Sequence, residues 1–308
     1  MEFFVYSCYN HTNDSQEVVY IVNCCIKLKE MLSSLTSKER VLAQFIIDFP
    51  SEVINMSIAE LAQTCGTSVS TVVRLCKNAG YNGYKAFCRD LSIDVAQSQT
   101  DSVEYGDIQP GSSVGTIMRA VCINDIKAIE NTLSVLNLEE LEKAVSAIIA
   151  APRVDFYGSG SSGYVAMDAY SKFARIGKLS MSSMDPPQQL LNAFQLSAGD
   201  VAVLISYSGN TRDILESAEC VKQSGATLIS LTKYSKNPLT KLADICLYSS
   251  SADDAIVRSG PMSSRIGQLT VVDILYTAVV SSEYSRVKHL LDKTRLASSK
   301  KHVRAYAE

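Results

Sequence analysis

The stretch Val201-Ala-Val-Leu-Ile-Ser-Tyr-Ser-Gly-Asn-Thr-Arg-Asp-Ile214 constrains the fold of this chain more than any other. Val201 to Ile205 is apolar at every position, the pattern of a parallel strand covered on both faces. Ser206, Ser208, Gly209, Asn210 and Thr211 follow as a short turn, and Asp213, Glu216 and Glu219 then recur at helical spacing. A strand, a hydroxyl-rich turn and a helix in succession present backbone N–H groups at a helix N-terminus, where the dipole favours an anion. A phosphate suits such a turn. Taken alone, so does an ordinary N-cap in a Ser/Gly loop.

A second stretch of the same kind lies upstream. Val154 to Tyr157 reads as a strand, Gly158-Ser-Gly-Ser-Ser-Gly163 as a loop, and Val165, Ala169 and Phe173 as the inner face of a helix reaching Ile176. The glycines match G-x-G-x-x-G, the dinucleotide fingerprint. That use requires an acidic residue about twenty positions on, at the end of a second strand. Asp185 lies too far on and is followed by two prolines. Two serine-rich turns at two strand ends suit a single phosphate better, with Ser159, Gly160, Ser161 and Ser162 on one side and Ser206, Ser208, Gly209, Asn210 and Thr211 on the other.

The rest of this half alternates strand and helix. Lys178 to Met181 reads as a weak strand, Gln188 to Phe194 as a helix, and Thr227 to Leu231 as a strand. Asn237 to Ala243 reads as a short helix, Ile245 to Tyr248 as a strand and Arg265 to Val280 as an apolar helix. Such alternation builds a parallel α/β sheet, whose ligands bind beyond the carboxyl ends of the strands.

The first half is helical. Residues 1–26 show no sustained period and read as an N-terminal extension. Leu28, Met31, Leu32 and Leu35 recur at helix spacing, and Thr36-Ser-Lys-Glu39 and Ser57-Ile-Ala-Glu60 are capping boxes that open two further helices. Gly66 stops the second of these, and Ser68 caps a third that closes at Gly80. A short helix, a tight glycine turn and a second helix make a helix-turn-helix unit. On the second helix Ser70, Thr71, Arg74 and Lys77 are expected on one face, with Ser68 at its start. Arg74 is the candidate base contact, because its planar fork can bind guanine twice. Lys77, Lys85 and Arg89 are candidate phosphate contacts. A solvated face on a small helical bundle accounts for Arg74 and Lys77 equally well.

At 308 residues the chain is long enough for two domains, and its net charge of −3 advertises no nucleic acid without excluding a local basic surface. Nine scattered cysteines with no C-x-x-C, and only three histidines, give no zinc spacing. Buried free thiols in a reducing compartment follow. No apolar run approaches the ~18 residues of a membrane span. A cytoplasmic protein with no cofactor, no metal and no membrane partner is expected.

Two resemblances join these readings. Residues 57–91, with Ser70-Thr-Val-Val-Arg74 and Gly80-Tyr-Asn-Gly-Tyr-Lys85, look like the DNA-binding domain of RpiR-type bacterial regulators. Thr67 and Val69 depart from that pattern, at positions that bear on operator preference. Roughly Leu138 to Ser282 resembles the SIS (sugar isomerase) domain, which binds phosphosugars, most closely at Gly158–Asp168, Ile205–Thr211, Asn237–Asp244 and Met262–Leu269. The resemblance implies that Ser159, Ser161, Ser206, Ser208 and Thr211 hold a sugar phosphate. Near the Met262 segment the family often carries Glu, where this chain has Asp253 and Asp254.

The expected fold is therefore an all-α helix-turn-helix bundle followed by an α/β three-layer SIS domain with a central parallel sheet. Its parts are an extension (1–26), a DNA-binding domain (27–97), a linker (98–113), a phosphosugar domain (114–290) and a polar tail (291–308). The expected function is a DNA-binding transcriptional regulator of sugar metabolism genes, responsive to a phosphorylated sugar and acting as a homodimer or homotetramer on an operator. The alternative is a phosphosugar isomerase with a helical accessory domain. That chemistry needs a base, and the candidates are only His289, Glu216, Glu219 and Glu283.

Overall fold

The structure, a computed structural model, describes residues 24–98, 110–251 and 262–299. The helical part opens with α1 (Cys24–Met31), which begins inside the stretch read as an extension and continues into a 3₁₀ turn at Leu32–Ser34. There follow α2 (Ser37–Asp48), α3 (Pro50–Val53), α4 (Ile58–Thr64), α5 (Val69–Asn78) and α6 (Tyr84–Ser98). Both capping boxes form: the Thr36 amide donates to Glu39 Oε2 at 3.1 Å and the Ser57 amide to Glu60 Oε2 at 2.7 Å. Pro50 breaks α2, and its fixed φ then suits the first position of α3. Leu28, Leu42, Ile46, Leu61, Val72, Leu75, Phe87 and Leu91 meet in one buried core, so α1 is part of the bundle rather than an appendage.

The α4–α5 corner depends on Gly66. At φ +59 it takes the left-handed turn that brings the Thr67 amide to the Ala62 carbonyl at 2.8 Å. Ser68 then caps α5 by accepting from the Thr71 amide at 3.3 Å.

The second half contains α7 (Val114–Val135), α8 (Leu138–Ala150), β1 (Val154–Gly158), α9 (Ser161–Arg175), α10 (Pro186–Phe194), β2 (Val201–Ile205) and α11 (Arg212–Ser224). It continues with β3 (Thr227–Lys233), α12 (Pro238–Leu242), β4 (Ile245–Ser249), α13 (Ser263–Ser282) and α14 (Tyr284–Ser299). The four strands are parallel in the order β1-β2-β3-β4, and Gly158, Ile205, Leu231 and Leu247 stand side by side in register. Phe156, Val203, Ile229 and Leu247 pack beneath α8, α9 and α13. Tyr157, Ala202, Leu204 and Leu228 face the other way, onto α10, α11 and α12. The near-unbroken apolar strands follow from this three-layer burial.

Lys178–Met181 is not a strand. It adds one parallel bridge, Arg153 to Leu179, and two bonds, from the Val154 amide to the Leu179 carbonyl and from the Phe156 amide to the Met181 carbonyl, both 2.9 Å. Asp155 supplies the missing hold: fully buried, it accepts two bonds from Arg153 (2.9 and 2.6 Å), one from Tyr157 Oη (2.6 Å) and one from the Met181 amide (3.0 Å). The segment therefore lies along the side of β1 opposite β2.

Candidate functional site

That placement decides where the sheet splits. The chain leaves β1, runs along one side of it, and returns as β2 on the other, so connections diverge between β1 and β2. In open parallel sheets ligands bind at this topological switch point, beyond the carboxyl ends of the strands. The two serine turns stand there, after Gly158 and after Ile205, which are neighbours in register.

The first turn is tightly built. A Cβ on Gly158 would fall 2.4 Å from the Ser162 carbonyl oxygen, and Gly160 adopts φ +56, so both positions require glycine. Ser159 is half-buried and Ser161 Oγ is buried with no hydrogen-bond partner among the described residues. Ser162 differs from its neighbours. It is buried and its Oγ pairs with the Gln268 amide at 3.2–3.3 Å, which ties α9 to α13 and turns the hydroxyl away from any ligand. In the second turn Ser206 Oγ lies 2.9 Å from Thr211 Oγ1, and the Gly209 amide donates to the Ser206 carbonyl at 3.0 Å. Ser208 and Asn210 are exposed, and the Asn210 amide bonds Ser208 Oγ at 3.2 Å.

The starts of the two helices at this crevice lack side-chain caps, as does α13 at Met262, whereas other helices of the domain have them. Asn137, Asp185 and Asn237 cap α8, α10 and α12 with their side chains. Gly160 and Thr211, at the starts of α9 and α11, make no such bond. The two helices that open onto the crevice thus leave their first N–H groups for another acceptor.

Three supports escaped the sequence reading. Gln189 Nε2 donates to the Gly158 and Ser183 carbonyls, both at 2.7 Å, holding the first turn against the chain after Met181. Gln268 holds Ser162. Asn237 underlies the second turn, where a Cβ on Gly209 would meet its Oδ1 at 2.0 Å. Each acts across more than twenty residues, beyond the range of any local pattern. Asp253 and Asp254 lie outside the described residues.

On the helix-turn-helix, Ser70, Arg74 and Lys77 lie on the exposed face of α5, with Ser68 at its start and Lys85 and Arg89 exposed on α6. Thr71 does not share that face. It is buried, with Oγ1 3.0 Å from Ser68 Oγ, because one step along a helix rotates a side chain by about 100° away from Ser70. Arg74 is half-exposed and its Nε donates to Glu39 Oε1 at 2.8 Å. Although burial opposes it, the bonds from Thr36 and Arg74 hold the Glu39 carboxyl below its ordinary range. The guanidinium is thus steered by α2 instead of waving free.

Comparison with known proteins meets this geometry at both ends. Residues 22–98 match the helix-turn-helix domain of the rpiR family, and residues 147–278 match the SIS domain. An uncharacterized HTH-type transcriptional regulator of Caldanaerobacter subterraneus is 41% identical over 267 residues, covering 87% of this chain and 94% of that relative. The chain belongs to the RpiR family of helix-turn-helix transcriptional regulators. Among other members it is similar to, the regulator HexR of Pseudomonas aeruginosa is 32% identical over 83% of this chain and 89% of its own length. The NanR protein of Vibrio vulnificus, solved as a complex with ManNAc-6P, has the same fold at 24% identity, with TM-score 0.57 over 92% of this chain and all of that one.

The candidate bases stand outside the crevice of this RpiR regulator. Glu216 and Glu219 are exposed on α11, Glu216 pairing with Arg212 at 2.9 Å. Glu283 pairs with Arg286. His289 is exposed on α14, whose Leu290 packs at Gly177, beyond the far end of α9. Fifteen residues of helix put that end roughly 22 Å from Ser161. Among the described residues no group of three or more His, Cys, Asp and Glu could hold a metal ion, and no helix is long and apolar enough to cross a membrane.

Proposed function

We propose that the crevice between the two serine turns binds the phosphate of a phosphorylated sugar, and that its occupancy changes the affinity of the helix-turn-helix domain for an operator. The observation that carries the reading is the pair of uncapped helix starts, α9 and α11, converging at the switch point between β1 and β2. Ser159, Gly160 and Ser161 on one side and Ser206, Ser208, Gly209, Asn210 and Thr211 on the other would surround a dianion with hydroxyls and amides, and the helix dipoles would supply the charge that no lysine provides. Ser161 Oγ, buried without a partner, is the atom that most needs such a ligand.

The candidate bases Glu216, Glu219, Glu283 and His289 stand on helix surfaces away from the two turns, so binding without turnover is the simpler chemistry. Operator contact falls to Ser70, Arg74 and Lys77, with Ser68, Lys85 and Arg89 at the phosphates; Thr71 holds the helix start instead of reaching DNA. Symmetric half-sites call for at least a dimer. An intracellular, cytoplasmic setting follows from contact with DNA.

A calorimetric screen of pentose and hexose phosphates, ManNAc-6P among them, tests the crevice. One or more sugar phosphates should bind, and Ser206→Ala with Ser208→Ala should abolish that binding while leaving operator binding intact. An operator selected from random DNA tests the other end: Arg74→Ala should remove sequence preference. Conversion of any aldose phosphate to its ketose by the purified protein would favour the isomerase instead.

A further inference from the structure

One polar contact joins the second serine turn directly to the DNA-binding domain. Glu30, at the end of α1, reaches across the domain boundary, where its Oε1 accepts from Ser250 Oγ at 2.6 Å and from the Ser251 amide at 3.3 Å. The Tyr207 hydroxyl lies 3.3 and 3.2 Å from the two Glu30 oxygens and 2.8 Å from Ser251 Oγ. Tyr207 stands between Ser206 and Ser208. Its own carbonyl accepts from the Lys233 amide at 2.8 Å, which fixes the turn to the end of β3.

The neighbouring contacts extend the same docking surface. Lys233 Nζ donates to Ser33 Oγ and Lys236 Nζ to Asn78 Oδ1, each at 2.8 Å. Asn78 is the last residue of α5, the helix that carries Ser70, Arg74 and Lys77. Tyr234 packs on Tyr248 with ring centroids 4.8 Å apart, and its hydroxyl lies 3.1 Å from where a Cβ of Gly80 would be. Lys27 sits over the Tyr81 and Tyr234 rings. The helical domain therefore rests on the carboxyl end of β3 and β4, next to the crevice and on the same rim of the sheet.

We propose that Tyr207 and Glu30 form the relay by which occupancy of the serine turn changes how the DNA-binding domain docks. Tyr207 is a positioning residue here: its hydroxyl reaches Glu30, while Ser206 is buried against Thr211 and Ser208 is exposed. The inference depends on the reading of that turn as a phosphosugar site. Ser206 Oγ and Thr211 Oγ1 share one hydroxyl hydrogen bond, and a phosphate that accepts from both hydroxyls would reorient that bond at the residue beside Tyr207. The arriving dianion also brings negative charge beside a carboxylate that is held mainly by neutral donors. Burial already pushes the Glu30 carboxyl above its ordinary range, with Ser250, Ser251, Lys233 and Tyr207 only partly offsetting it. A ligand shifts such a docking equilibrium only if it binds the docked and released arrangements with different affinity. Two like charges across one side chain supply that difference.

The test uses the full chain, an operator selected from random DNA by the wild type, and whichever sugar phosphate of the screen binds. Operator affinity is measured with and without it for the wild type, Glu30→Ala, Tyr207→Phe and the double variant. A coupled wild type should change operator affinity by about 5- to 150-fold. Both single variants should bind the sugar phosphate within about threefold of wild type, still bind DNA, and show that ratio reduced to under about threefold, with the double variant no worse than either. A wild-type ratio retained in both variants would overturn the relay while leaving the crevice intact. Loss of sugar-phosphate binding in Tyr207→Phe would also overturn it, by making Tyr207 a ligand contact. If no sugar phosphate binds the wild type, the reading of the crevice fails and the relay fails with it.

Discussion

Gly209→Ala should cost the C-terminal domain about 3–6 kcal/mol and abolish the proposed ligand site. Gly209 adopts φ +66, so any side chain there meets the left-handed penalty of about 1–2 kcal/mol. A Cβ would then stand 2.0 Å from Asn237 Oδ1, a contact no side chain tolerates. Asn237 has little room to yield, being buried. Its Oδ1 caps α12 by accepting from the Thr240 amide at 3.0 Å, and its Nδ2 donates to Thr232 Oγ1 and the Ser235 carbonyl, both at 3.2 Å. Losing the cap costs about 1 kcal/mol and the two remaining bonds roughly 0.5–1.5 kcal/mol each. The assay is urea unfolding followed by near-ultraviolet dichroism, with Asn237→Ala and the double variant completing a cycle. In the Asn237→Ala background the clash is gone, so Gly209→Ala should cost only the left-handed term, leaving a coupling of about 2–4 kcal/mol between the sites. A Gly209→Ala protein within about 1 kcal/mol of wild type, or strictly additive variants, would refute the account of the turn.

Other expectations follow from single observations. Burial is the main force raising the Asp94 carboxyl to about 6, opposed by the Cys24 and Cys25 amides and aided by Asp90. The folded state thus holds the proton more tightly than the unfolded one, so this group's contribution to stability improves as pH falls through about 6 toward its unfolded value. Asp94→Asn should flatten that part of the pH–stability profile of the helical domain. On the outer face of α7, Ile126, Ile129 and Leu133 are 54, 44 and 50% exposed, and Ile129 borders an apolar groove with Ile274 and Ala278 of α13. Ile129→Glu should therefore lower the oligomeric state in sedimentation without unfolding the monomer. Gln268→Leu should leave Ser162 Oγ buried and unpaired, costing about 1–3 kcal/mol in thermal unfolding.

How much of this was legible in the sequence depended on the range of the interaction. Capping boxes at Thr36 and Ser57, the glycine stops and the strands Val154, Val201, Thr227 and Ile245 are local patterns, and each formed where its own residues required. The two serine turns could be found separately for the same reason. What made them one crevice, the parallel register of Gly158 with Ile205, is a long-range pairing that alternation of strand and helix implied but did not place. Lys178–Met181 lacks β-branched residues, and it joins the sheet through one bridge, with the Met181 amide taken by Asp155 instead of a strand carbonyl. Thr71 and Ser162 show the converse error. Both are small hydroxyls next to true candidates, and residue type alone did not reveal which way they point. Arg74 needed Glu39, 35 residues upstream, to be seen as steered.

The parallel sheet explains why recognition and control can share so little material. In such a sheet every loop after a strand emerges on one rim, so a ligand turn after β2 and a docking surface after β3 and β4 are neighbours without special design. The helical domain contacts rim positions beside the proposed ligand turn: Lys233, Lys236 and Ser250 follow β3 and β4, and Tyr207 reaches outward from the turn to Glu30. A regulator of this construction requires no long pathway between its sites. Under the proposed relay one side chain, Tyr207, joins the serine turn to the DNA-binding domain, and its hydroxyl bond to Glu30 carries the coupling. Replacing Tyr207 by leucine, which cannot span to Glu30, should therefore uncouple the protein as fully as phenylalanine does. If instead phenylalanine keeps the response and leucine alone loses it, packing of the ring transmits and the hydrogen-bonded relay is refuted.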